Sequence, residues 1–246
     1  MHAARIAELL QPFLSPTPIR CHSEPAKAGE ESAVLSPIQL QSISTYIDIL
    51  LHWNARINLT AIRNEEEIVT RHFGESLFAA RHLFPRVRPV SSVPPVLKGL
   101  DVDLVLAEAR VADLGSGAGF PGVPIKLWSP NIALTLIESN QKKSAFLREL
   151  ARTLTLTNID IQNARAETLP PSTFDLVTIR AVERLPKVLP VAANLIAPQG
   201  RLALLISTSQ LESTRSTLPH VSWNPPIPIP NSQSRILLVG SPEPGM

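Results

Sequence analysis

A short apolar run, Val111 to Leu114, gives way to glycines at positions 115, 117, 119 and 122. A chain that leaves a buried strand in this way has to turn at once. Glycine tolerates the left-handed backbone and the close approaches that a tight strand-to-helix turn demands. The helix that follows presents free N–H groups at its start. Further on, at the end of the next apolar run (Ala133 to Ile137), stands Glu138. In nucleotide-binding α/β folds, a carboxylate at the end of the second strand meets ribose hydroxyls.

The surroundings of this turn repeat its alternation. Strand-like runs at VADLG (111–115), ALTLIES (133–139), NIDIQNA (158–164), FDLVTIRA (174–181), GRLALLIS (200–207) and SRILLVG (234–240) are interleaved with helical stretches. The helices fall before Pro130, over QKKSAFLRELARTL (141–154) and over roughly 184–196. That order predicts an α/β fold with a doubly wound, mainly parallel sheet. The first third reads as all-helical. Ile6, Leu9, Leu10 and Phe13 share one side of a short helix over 4–14. Ser36–Pro37 is a helix start, and Leu40, Ile43, Tyr46, Ile47, Leu50 and Trp53 recur at helical spacing behind it. Another helix fits from Glu65 to about Leu83.

Proline divides the chain further, with 24 in 246 residues, about twice average usage. One cluster falls in a polar, aperiodic stretch that ends near residue 34, and a second falls in 85–108. The expected organisation is therefore an N-terminal helix plus flexible insertion (1–34) and a helical subdomain (35–84). A Pro-rich insertion (85–108) and the main α/β domain (109–246) follow. Residues 17–33 are expected to be mobile and dispensable. With 44% hydrophobic residues the chain can bury a full core. No apolar run reaches the roughly 18 residues of a membrane helix, so no membrane partner is expected. A single cysteine, Cys21, and a start without a secretory pattern predict a cytoplasmic setting, and no metal site is expected. A net charge of +2 permits an RNA partner without requiring one. Oligomeric state is not legible; a monomer is the simpler expectation.

Two cofactor classes compete for the glycine loop. A dinucleotide fingerprint needs glycine at position 120, where this chain has Phe120. The spacing observed, Gly-x-Gly-x-Gly preceded by Asp113, looks like the first motif of class I S-adenosylmethionine methyltransferases. An Asn/Asp-Pro-Pro-aromatic box, which such enzymes carry after the fourth strand when they act on amines, is replaced by Ile179-Arg180-Ala181-Val182. No cysteine follows that strand either, which excludes a covalent cytosine mechanism.

Beyond the loop, the chain from about residue 38 resembles the bacterial RsmG (GidB) family, 16S ribosomal RNA guanine-N7 methyltransferases. The resemblance rests on LHWNARINLTAIR (51–63), VTRHFGESL (69–77, with Glu75 where Asp is commoner), DLGSGAGFPGVPI (113–125), ARAETL (164–169) and FDLVTIRA (174–181), all in the family's order. It implies a class I S-adenosylmethionine methyltransferase fold, Rossmann-like, with an N-terminal helical subdomain. It also implies S-adenosyl-L-methionine as methyl donor and 16S rRNA or a small-subunit particle as partner.

Carried over position by position, the family's cofactor residues fall on Gly115, Phe120, Ala166, Glu167 and Arg180. The reading of the loop itself adds Gly117 and Glu138. No residue stands out as a catalytic base. Arg56, Arg63, Arg71, His72, Arg81 and His82 enrich the N-terminal helices in cations, which the resemblance turns into an RNA-contacting patch. Lys142, Lys143, Arg148 and Arg152 read as a solvated helix face, and Asn54 and Asn58 as ties between helix ends and loops. Ile206-Ser207 and Gly240-Ser241 stand where the family usually carries lysines, and both insertions exceed the family pattern. Rival functions are a methyltransferase for another substrate, an NAD-dependent oxidoreductase, and a non-catalytic RNA-binding module.

Overall fold

The computed structural model describes residues 1–15, 34–85, 109–180 and 185–243. Most of both expected insertions therefore lies outside the described residues, as do Ala181 and Val182.

Helix α1 (Ala3–Leu14) buries Ile6, Leu10, Phe13 and Leu14. Helix α2 (Pro37–Asn54) begins as its sequence dictates. Ser36 Oγ accepts the Gln39 amide at 3.2 Å, Gln39 Oε1 accepts the Ser36 amide at 2.8 Å, and proline occupies the first helical position. Its last residue ends it: Asn54 Oδ1 accepts the amides of Leu59 and Thr60, and Asn54 Nδ2 donates to the Thr60 carbonyl. The single helix expected over 65–83 is interrupted. A turn of α-helix, α3 (Glu65–Glu67), passes into a π-helical stretch (Ile68–Gly74) and then into α4 (Glu75–Leu83). A π-helical stretch carries more residues per turn than the α-helical spacing used to read the sequence.

Strands β1 (Arg110–Leu114), β2 (Ala133–Ile137), β3 (Ile159–Gln162), β4 (Phe174–Arg180) and β5 (Ile196–Ser207) run parallel to one another, and β5 pairs antiparallel with the last strand. Helices α5 (Gly122–Trp128), α6 (Gln141–Thr153) and α7 (Leu185–Leu195) connect them. Asn140 caps α6 by accepting the amides of Lys142 and Lys143. The sequence pattern did not show helix α8 (Leu211–Thr217) or the short strands β6 (Val221–Trp223) and β7 (Ile227–Pro228). The two strands lie among the prolines clustered between Pro219 and Pro230, and such clusters mark irregular chain. Both pair antiparallel with β8 (Arg235–Pro242), β7 off the main path of the sheet, a place where proline is tolerated.

The sheet order is β3-β2-β1-β4-β5-β8-β6. The chain runs outward from β1 to β3, then returns to lay β4 against the other side of β1. A crevice opens at such a reversal, outside the carboxyl ends of the strands. The N-terminal helices share one continuous buried cluster with one sheet face, including Ile6, Tyr46, Phe73, Leu136, Phe146 and Leu237. Opposite, Leu185, Leu189 and Leu195 of α7 pack with Ile179, Ile206 and Leu238. No described helix is long and apolar enough to cross a membrane.

Replacing Asn54 by alanine removes three hydrogen bonds at the end of α2, among them the one accepted from the part-buried Thr60 amide. The expected loss of unfolding free energy is about 1–3 kcal/mol, measured by urea denaturation. A loss below about 0.5 kcal/mol, the size of an ordinary surface change, would mean the loop holds itself without Asn54.

Candidate functional site

Gly115, Gly117 and Gly119 all adopt positive φ, at 67°, 55° and 87°. They do so for different neighbours. A Cβ on Gly117 would find its nearest atom, the Gly115 carbonyl oxygen, at 3.7 Å, in open space. A Cβ on Gly119 would stand 2.5 Å from the Tyr46 hydroxyl, and one on Gly122 would stand 2.9 Å from Asp113. Gly117 thus has room for a side chain and Gly115 is exposed, while Gly119 and Gly122 let other parts of the protein come close.

Asp113, next to last in β1, has its carboxyl fully buried. Thr178 Oγ1 on β4 donates to it at 3.0 Å, and the Gly122 amide of α5 donates at 3.2 Å. Burial pushes this carboxyl up to about 7, with the two donors opposing the rise. Glu138, at the end of β2, is also buried. Its Oε2 accepts the Gly117 amide at 3.0 Å and its Oε1 accepts the Asn140 amide at 2.7 Å. One carboxylate therefore joins the glycine loop to the start of α6.

A pocket of about 390 Å³ opens at these strand ends, lined by Gly115, Glu138, Ala166, Glu167, Val188 and Val191 among others. Four residues singled out from sequence meet there, and Gly117 is tied to its wall through Glu138. Ala166 and Glu167 sit in a turn of 3₁₀-helix, with the Glu167 side chain exposed. Another cavity, about 370 Å³, lies between α1 and the start of α2 and is lined largely by apolar groups such as Leu14, Leu35 and Leu40. It lacks the convergence of acid, glycine and strand ends.

Phe120 and Arg180 lie outside the pocket lining, in an adjoining cluster beneath the N-terminal helices. Phe120 is 5% exposed and stacks on Tyr46 (5.1 Å) and His72 (4.7 Å). The Arg180 guanidinium stands 6.0 Å from its ring centre. Arg180 donates to Glu75 Oε2 at 3.2–3.3 Å, to His72 Nδ1 at 2.9 Å and to the Arg71 carbonyl at 2.7 Å. Arg235 on β8 reaches the same Glu75 oxygen at 3.4 Å and the Leu205 carbonyl at 3.0 Å. Since Arg180 can only donate, His72 Nδ1 is the acceptor and Nε2 carries the proton toward Thr60 Oγ1, 2.8 Å away. Burial, reinforced by Arg180 and Arg71, holds His72 down to about 3.

The expected cationic patch shrinks accordingly. His72 is a buried neutral ring, not a surface charge. Arg81 is engaged by the carbonyls of Leu14 and Ser15. His82 bonds the Phe78 carbonyl, and burial lowers its pKa. Arg56, Arg63 and Arg71 remain exposed. Glu75, Thr178 and Arg235 had no periodic signal in the sequence, although Glu75 and Thr178 fall inside family motifs, and Tyr46 read only as a member of the apolar stripe of α2. Among the described residues no group of three His, Cys, Asp or Glu side chains is arranged to hold a metal ion.

Residues 39–90 and 96–220 match the family model described as rRNA small subunit methyltransferase G. Two similar curated proteins carry the name Ribosomal RNA small subunit methyltransferase G. One, from Xylella fastidiosa (strain 9a5c), is 32% identical over 193 residues, covering 78% of this chain and 80% of that one. The other, from Bacillus pumilus (strain SAFR-032), is 32% identical over 197 residues, covering 78% and 74%. Among solved structures, the ribosomal protein L11 methylase of Lactobacillus delbrueckii subsp. bulgaricus superposes with a TM-score of 0.53 over 70% of this chain and 79% of that one. At 13% identity that likeness shows the fold.

Asp113 and His72 make opposite contributions to stability. Between about 3 and the ordinary 6.5, the unfolded chain binds a proton at His72 that the folded chain does not. The His72 contribution is complete above pH 6.5 and declines as pH falls toward 3. Between 3.8 and about 7 the folded chain holds a proton on Asp113 that the unfolded chain releases. That contribution is complete below pH 3.8 and is lost as pH rises through 7. Denaturation across this range should therefore show the advantage of wild type over His72→Gln shrinking toward acid. Its advantage over Asp113→Asn should shrink toward neutral pH. Two pH-independent differences would overturn both assignments.

Proposed function

The chain belongs to the rRNA small subunit methyltransferase G family, and we propose on that footing that it transfers a methyl group from S-adenosylmethionine to N7 of a guanine in 16S rRNA. The observation that carries this reading is the pocket at the ends of β1 and β2, which gathers Gly115, Glu138, Ala166 and Glu167 in a chain of this family.

The residues present fit the donor. The space beside Gly117 admits a ligand against backbone, and Glu138 ends β2 where ribose hydroxyls are recognised. Gly115, Gly117 and Glu138 would hold the ribose and methionine portions, and Ala166 with Glu167 the adenine. Phe120 and Arg180 would shape the adjoining wall. A dinucleotide fits less well, because position 120 carries a buried aromatic ring where the fingerprint needs glycine. When bound, S-adenosylmethionine supplies an electrophilic methyl group on a sulfonium.

What the chain itself supplies is position. Guanine N7 carries an in-plane lone pair and no proton, so nothing has to be deprotonated before methyl transfer. The buried groups agree with this. His72, held down to about 3, is already an acceptor for Arg180 and is too weak a base for neutral pH. Asp113 is sealed beneath the loop at 0% exposure. Arg180, committed to Glu75 and His72, organises the wall without moving a proton. The rate advantage then comes from holding N7 in line with the methyl group at near-attack distance.

Small-subunit rRNA from cells lacking this protein should be short of one 7-methylguanosine by nucleoside mass mapping. The wild-type gene should restore it and Gly117→Val should not, since valine fills the open space and strains a φ of 55°. In calorimetric titration S-adenosylhomocysteine should bind more tightly than NAD; the reverse order would end this reading.

The single-turnover rate at saturating RNA and donor should change by less than about threefold between roughly pH 6.5 and 8.5, for want of a titrating base. An acidic limb that vanishes on replacing one histidine or glutamate would reveal a general base and refute positioning as the main device.

A further inference from the structure

Tyr46 lies in the middle of α2, 72 residues before Ala118 and in a different layer of the fold. Its position belongs to the apolar stripe of that helix, where phenylalanine would satisfy the pattern equally well. The side chain is fully buried, its ring stacking on Phe120 at 5.1 Å and meeting Phe73 edge-on at 5.0 Å. A buried phenol needs a partner for its O–H. Here the partner is the Ala118 carbonyl, inside the glycine loop, to which the hydroxyl donates a short hydrogen bond. Burial keeps the phenol protonated and therefore a donor.

The same hydroxyl occupies the space that a Cβ on Gly119 would need. One side chain thus holds the loop at three consecutive residues: by hydrogen bond at 118, by close approach at 119 and by ring stacking at 120. Before them lie Gly115, which lines the pocket, and Gly117, tied to its wall through Glu138. Left-handed glycines have no side chains of their own to hold them, so the loop depends on its backbone hydrogen bonds and on what packs behind it.

We propose that Tyr46 is a positioning residue for the donor site: from the N-terminal helical layer it sets the conformation of the 115–120 loop and thereby the affinity for S-adenosylmethionine. This inference rests on the proposed function and adds a residue from outside the loop, acting through its backbone. It also gives the N-terminal layer a role in donor binding that does not depend on RNA.

Tyr46→Phe tests it, since it removes only the hydroxyl. Three measurements on the full chain apply: S-adenosylhomocysteine affinity by calorimetry, amide exchange of residues 115–120 without ligand, and the steady-state constants. The variant should bind S-adenosylhomocysteine about 5- to 30-fold more weakly, the range for one hydrogen bond at a buried acceptor. KM for the donor should rise similarly, with KM for RNA unchanged. Exchange should quicken in 115–120 and not in α6. In a double-mutant cycle, the binding defects of Tyr46→Phe and Gly119→Ala should be non-additive, because the hydroxyl that collides with the new methyl is already gone.

Wild-type affinity and exchange in Tyr46→Phe would overturn the proposal. So would a variant that fails to fold or loosens everywhere, which would make Tyr46 an ordinary core residue. Failure of wild type to bind S-adenosylhomocysteine would instead remove the proposed function beneath it, while the exchange measurement would still report on the loop.

Discussion

The turn from β1 to α5 has to pass between two buried polar side chains, and the arrangement of the strand ends depends on that passage. Asp113 stands on one side, where Thr178 and the Gly122 amide hold its carboxyl. Tyr46 stands on the other, with its hydroxyl where Gly119 would otherwise carry a Cβ. Neither leaves room for a side chain, so Gly119 and Gly122 are required by packing within the protein. Gly115 and Gly117 meet a different demand, left-handed backbone, with Gly115 lining the pocket and Gly117 tied to its wall through Glu138. A single glycine pattern thus answers two constraints, one internal and one toward a ligand.

The second organising feature is the Glu75 carboxylate shared by Arg180 and Arg235. Glu75 is 4% exposed and Arg180 9% at the side chain, so both have given up most of their hydration. The mutual attraction of such a pair does little more than offset that loss, and its value lies in geometry. It joins α4 to the carboxyl end of β4 and to the start of the antiparallel β8. It also keeps His72 between Arg180 and Thr60, in the tautomer that each neighbour requires. The π-helical stretch over 68–74 brings His72 to this network, directly before Glu75 opens α4. The N-terminal helices are consequently attached to the strand ends through charge and hydrogen bonds as well as through the shared apolar cluster.

Much of the fold was legible because its signals are local. The cap at Ser36–Gln39, the apolar stripe of α2, the strand runs and the glycine turn each declare themselves within a few residues. The acid at 138 was placed correctly at the end of β2, and Gly115, Glu138, Ala166 and Glu167 do converge on one pocket. The π-helical interruption, α8 and the short strands β6 and β7 were not legible. A π-helical stretch breaks the 3.6-residue period, and edge strands form because β8 is there to pair with, not because their own residues demand it. The cation count on the N-terminal helices misled for a related reason. Charge is written in the sequence, but burial is not, and burial turns His72 into a neutral acceptor.

By itself, then, the amino-acid sequence determined the order of elements, the parallel sheet, the tight turn after β1 and the family whose motifs it carries. Each depends on side-chain period, backbone freedom or residue spacing over a short stretch. Tertiary structure alone decided that Phe120 faces an aromatic cluster, that Arg180 is spoken for by Glu75 and His72, and that Tyr46 reaches the loop. Those pairings join residues 47 to 108 positions apart. Their energies exist only once the helical layer and the strand ends exclude water from the space between them, which no local pattern can announce.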